Sequence, residues 1–96
     1  KFSRANLRGA TFEASYMLKA ILNGAQLDGA NLQWADLSHA DLRNARLVRA
    51  NLGHANLHAA QLVGVDTTEA NLQGSRTTDP ERARAEGFDP KAKELR

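Results

Sequence analysis

Large apolar residues recur at every fifth position of this chain. Leu stands at Leu7, Leu22, Leu27, Leu32, Leu37, Leu42, Leu47, Leu52, Leu57, Leu62 and Leu72. Phe2, Phe12, Met17 and Thr67 fill the remaining places, so 11 of the 15 positions from 2 to 72 are Leu. A second column runs two residues earlier, from Ala5 to Ser75, and 12 of its 15 positions are Ala. Short polar side chains separate the columns, among them Asn6, Asn31, Asp36, Asp41, Asn51, Asn56 and Asn71. A helix does not fit this period. Five residues turn a helix by about 500°, or about 140° net, so the Leu column would spiral round the rod and leave no apolar stripe. A flat strand fails as well, because a period of two puts Leu22 and Leu27 on opposite faces. The remaining solution is a chain that turns a corner every five residues and points Leu inward each time. Four sides then close a square coil, and successive coils stack at ~4.8 Å. Ala in the second inward column follows from packing density: a narrow interior has room for one large side chain per side, with a methyl group beside it.

This arrangement resembles the pentapeptide-repeat family, whose consensus is Ala, Asp or Asn, Leu, and two variable residues. The motif reads Ala5-Asn6-Leu7, Ala30-Asn31-Leu32, Ala35-Asp36-Leu37, Ala40-Asp41-Leu42, Ala50-Asn51-Leu52, Ala55-Asn56-Leu57 and Ala70-Asn71-Leu72. The resemblance spans residues 1–77 and implies an all-β solenoid, a right-handed quadrilateral parallel β-helix of about four coils. On such a coil Phe2, Leu22, Leu42 and Leu62 share one face. Leu7, Leu27, Leu47 and Thr67 share the next. Phe12, Leu32, Leu52 and Leu72 form the third, and Met17, Leu37 and Leu57 the fourth.

A solenoid needs caps over its end coils. Phe12 and Met17 are expected to plug the first coil. Residues 78–96 leave the period and are expected to form a short helical cap. Asp79 precedes Pro80 as a helix start, Gly87 marks its close, and Asp89-Pro90 repeats the start signal. Phe88 is the tail's large aromatic and is expected to cover the open apolar end.

Composition narrows the function. Thirteen Lys and Arg against eleven Asp and Glu leave a net charge of +2. That argues against both a polybasic nucleic-acid arm and an acidic DNA mimic. With no Cys there is no disulfide framework and no thiolate site. No apolar run approaches the ~20 residues of a membrane span. No secretory signal is evident, the chain lacks an initiating Met, and a trimmed or processed piece is the expectation. Cytoplasmic residence is the expected location.

The outward positions carry whatever chemistry exists. Asn31, Asn51 and Asn71 fall at one-coil spacing and predict a ladder of stacked amides. Asp36 and Asp41 lie on adjacent sides, but Asp and Asn alternate at their motif place, which points to backbone bonding rather than acid–base work. His39, His54 and His58 read as ordinary surface or corner histidines, since zinc needs three or four well-placed ligands and no carboxylate cluster supports them. No metal or cofactor is expected. Arg43, Arg46 and Arg49, with Arg4 and Arg8 below, form the main basic cluster. Tyr16, Leu18, Ile21 and Trp34 occupy variable places that need not be apolar. Together they predict an exposed aromatic and aliphatic patch of the kind found at interfaces.

These observations predict a non-enzymatic structural or protein-interaction module. The candidate interface is Tyr16, Leu18, Ile21 and Trp34 with Arg43, Arg46 and Arg49. The partner is another protein, the rest of its own chain, or a second copy meeting it through a coil end. Sequence-specific nucleic acid is not expected, because no recognition helix or ribbon is present. No nucleophile is paired with a base in the manner of a hydrolase. The family resemblance implies that many such domains, often cyanobacterial, have no known activity. It also implies an alternative, a DNA mimic that binds gyrase, but those relatives are longer, strongly acidic dimers.

Overall fold

The structure, a computed structural model, describes residues 1–78 and Glu86. Parallel bridges join residues 20 apart, from Asn6 with Gln26 through Asn56 with Arg76. They fall into four columns, led by Asn6, Thr11, Tyr16 and Ile21. Each column is one wall of a square coil, and the residue just before each Leu-register position makes the bridge. The helical alternative is therefore excluded for the repeat.

Each wall is short because the chain turns after every Leu-register residue. In the repeating unit the Ala amide returns to the carbonyl of the preceding Leu, as from Ala25 to Leu22 at 3.0 Å. The third residue of each such turn has positive φ. Ten of these are not glycine, including Arg4, Trp34, His39, Arg49 and Glu69, and five are glycine. One left-handed residue at that place is the arrangement of a type II turn.

The rest of the backbone bonds run between coils. Leu32 donates up to Asn51 at 2.7 Å, Trp34 to Gly53 at 2.9 Å, and Asn31 down to Ala10 at 2.9 Å. Where the motif place holds Asn or Asp, the amide just after the Leu finds a side-chain acceptor instead. Oδ1 of the motif Asn or Asp accepts it: Gln33 donates to Asn31 at 3.0 Å, Ser38 to Asp36 at 3.1 Å, and Gly53 to Asn51 at 3.0 Å. The same bond recurs at Asp41, Asn56, Asp66 and Asn71. Asp and Asn are interchangeable there because both offer a carbonyl-type oxygen at the same reach.

The interior holds Leu22, Leu27, Leu32, Leu37, Leu42, Leu47, Leu52, Leu57 and Leu62, interleaved with the Ala column from Ala25 to Ala60. Met17 is buried at the lower end. Leu7, Phe12, Val65, Ala70 and Leu72 are partly buried and pack on that core. Phe2 departs from expectation. Its side chain is 42 % exposed and tilts against Phe12 with ring centroids 6.5 Å apart. It belongs to the first coil, at the lower end of the described stack. The expected helical cap over 78–96, including Phe88, lies outside the described residues, apart from Glu86, which is helical.

Candidate functional site

The corner geometry sets which surface side chains meet. Positions 20 apart occupy the same slot on successive coils. Ala14, Trp34, His54 and Gly74 form one such corner column, each with positive φ. Trp34 stacks on His54 with ring centroids 4.2 Å apart and planes 10° from parallel. Gly74 completes the stack: a Cβ there would lie 2.4 Å from His54 Nδ1. The imidazole thus rests directly on the glycine backbone, while Trp34 remains 58 % exposed. Beside the stack, Asp36, Asn56 and Arg76 help line an open groove of about 410 Å³.

The expected apolar patch is spread round the wall. Tyr16 is 76 % exposed and stands at the foot of the column leading to Asp36 and Asn56. Ile21, also exposed, belongs to the adjacent wall with Asp41. Leu18 is half-buried at the corner between them. Trp34 occupies the opposite corner of Tyr16's wall. Among the described residues no ring contact joins Tyr16 to Trp34.

Acidic partners compensate Arg43, Arg46 and Arg49 of the basic cluster. Arg43 grips Asp41 with two bonds of 2.8 and 2.7 Å, and Arg46 grips Asp28 at 3.4 and 3.0 Å. Arg49 lies 3.7 Å from Glu69. The bonds from Arg46 and Arg43 hold the Asp28 and Asp41 carboxyls below their ordinary value, against the opposing effect of desolvation. Asp66 is held low by bonds from the Thr68 hydroxyl and amide. None of these carboxylates is poised as a general acid near neutrality.

The Asn ladder forms in one rung. Asn71 donates to Asn51 at 3.0 Å, whereas the Asn31 amide reaches toward Glu13 at 3.5 Å.

The histidines divide. His54 belongs to the Trp34 stack. His39 and His58, on the far side of that wall, come together with rings 5.5 Å apart and nearly perpendicular. His58 is not a surface residue: it is buried, at 2 % exposure. Its Nε2 lies 2.7 Å from Glu86 Oε1, and His39 Nε2 lies 3.2 Å from Glu86 Oε2. A carboxylate does therefore support this pair. It escapes sequence reasoning because Glu86 lies 28 positions beyond His58 and outside the repeat, so no spacing rule links them. Two imidazoles and a carboxylate, with donor atoms all within 4.8 Å of one another, are the described residues able to hold a metal ion.

Comparison with known proteins follows the same lines. The description "Pentapeptide repeats" matches eight copies over residues 1–33 and 35–74. The chain belongs to the pentapeptide-repeat family. Its fold is the right-handed quadrilateral β-helix of that family. HetL from the cyanobacterium Nostoc, a pentapeptide-repeat protein involved in heterocyst differentiation regulation, is 39 % identical with a TM-score of 0.75. That match covers 77 % of this chain and 35 % of HetL. A second Nostoc pentapeptide-repeat protein is 34 % identical over 85 % of this chain and 79 % of its own, with a TM-score of 0.52. One from the Arabidopsis thylakoid lumen is 25 % identical over 81 % and 57 %, with a TM-score of 0.54. The chain thus spans about a third of HetL and just over half of the Arabidopsis protein. No curated protein sequence matches it significantly. Among the described residues no helix is long and apolar enough to cross a membrane.

Proposed function

We propose that this pentapeptide-repeat chain is a non-enzymatic interaction module, a rigid rod of about four coils closed by a helical C-terminal segment, that engages another protein in the cytoplasm. The observation that supports this most is the Trp34 stack. Trp34 is a large, exposed aromatic held at one angle by His54 and Gly74, so little side-chain freedom is lost on binding. Tyr16 and Ile21 extend the apolar surface round the wall. Arg43, Arg46 and Arg49 form its charged rim, where ion pairs with Asp41, Asp28 and Glu69 fix their direction.

The test is affinity capture by the full chain, compared with Trp34→Ala and with Val63→Ala, an exposed apolar residue at the opposite corner. A specific protein retained by the full chain and by Val63→Ala, and lost with Trp34→Ala, supports the reading. Retention that is indifferent to Trp34, or no retained protein, overturns it.

A further inference from the structure

We infer that His39, His58 and Glu86 form a binding site for one divalent transition cation of the zinc class, which ties the C-terminal segment to the wall of the solenoid. The first two ligands are built into the repeat. His39 occupies the left-handed corner position, and His58 sits 19 residues on in the coil above. The His39 amide donates to the His58 carbonyl at 2.8 Å, and the His58 amide donates to Asn56 Oδ1 at 3.1 Å. Both backbones are thus fixed before any ion arrives, and both Nε2 atoms face the same carboxylate. Preorganisation of this kind is what a metal site requires.

The donor set selects the ion. Two imidazole nitrogens and one carboxylate suit Zn²⁺, Co²⁺ or Ni²⁺, whereas Ca²⁺ and Mg²⁺ prefer all-oxygen shells. In a tetrahedral zinc site with bonds near ~2.0–2.1 Å, neighbouring donors stand roughly 3.3 Å apart. The Glu86 oxygens already lie 2.7 and 3.2 Å from the two nitrogens. Small side-chain rotations therefore admit the ion. Three protein ligands leave a fourth position for water. Entry is open, because the side chains of His39 and Glu86 are 28 % and 29 % exposed while that of His58 is 3 % exposed. Binding joins position 58 to position 86 and so stabilises the contact of Glu86 with the two histidines by mass action.

The experiment is calorimetric titration of the full 96-residue chain with Zn²⁺, paired with thermal unfolding with and without the ion. His39→Ala and Glu86→Gln alter partly exposed side chains and leave the Leu core untouched. His54→Ala is the control histidine. The expected result is one equivalent of Zn²⁺ bound and a rise in Tm of about 5 °C or more at saturating ion. Both effects are lost in His39→Ala and Glu86→Gln and kept in His54→Ala. Co²⁺ in place of Zn²⁺ should give the intense visible absorption of a tetrahedral centre, again lost in the two ligand variants. Absence of binding overturns the inference, as does Zn²⁺ binding that survives both ligand substitutions or depends on His54.

Discussion

At the scale of the residue, two places in each five-residue unit carry distinct duties. The Leu fills the interior, and where Asn or Asp precedes it, that side chain accepts the amide just after the Leu. Removing either has a separate cost. Leu42 is fully buried, so Leu42→Ala should cost about 2–5 kcal/mol through lost burial and a residual cavity. Asn31 accepts the Gln33 amide, so Asn31→Ala should cost about 1 kcal/mol. Asn31→Asp, which keeps the acceptor, should lie much closer to the parent when both are compared in a Glu13→Gln background, where no carboxylate faces the new one. Urea unfolding of the three variants measures both comparisons. A fall at Asn31→Asp in that background as large as at Asn31→Ala would contradict the proposed role of the amide oxygen.

At the scale of the element, the corner is the unit that matters. Every corner needs a left-handed residue, and most of them here are not glycine. Lys19 adopts a φ of 62° in the open, so Lys19→Gly should be neutral or stabilising by up to about 1 kcal/mol, as relief of strain competes with unfolded-state entropy. Gly74→Ala should act the other way. Its methyl group meets His54 Nδ1 at 2.4 Å and must push the ring off Gly74. Because Trp34 is the chain's only tryptophan, the disturbed stack should appear as a change in fluorescence. An unchanged Trp34 signal would show that the stack does not depend on the glycine. The inward columns were readable in the sequence because Leu27, Leu32, Leu37 and Leu42 repeat without a gap and no helix or flat strand can use that period. The outward contacts were not. Trp34 and His54 meet only because the coil returns after 20 residues, and a corner residue carries no mark of which way its side chain leans. The acids that neutralise Arg43 and Arg46 were visible as letters, but their bidentate geometry was not. Glu86 had no period to place it at all.

At the scale of the whole molecule, acid stability reports the ion pairs that lace the walls. Asp28, Asp41 and Asp66 all have folded-state pKa values below the ordinary carboxylate value. The sign follows from linkage: a depressed folded pKa adds stability above the unfolded value near ~3.9, and that stability is lost as pH falls through the folded value. The urea midpoint should therefore be level down to about pH 5 and decline below about pH 4. The part owed to Arg43 and Arg46 should shrink in high salt, because these pairs face water. A midpoint that rises on acidification would contradict the assignment. The central claim is that the chain closes into a square coil whose walls bond to positions nearly one full turn away. Through-hydrogen-bond NMR couplings test it most directly. The account predicts couplings from the amides of Leu27, Leu32, Leu37 and Leu42 to the carbonyls of Arg46, Asn51, Asn56 and Gln61. Couplings from those amides to carbonyls four residues earlier would mean a helical rod and would contradict it.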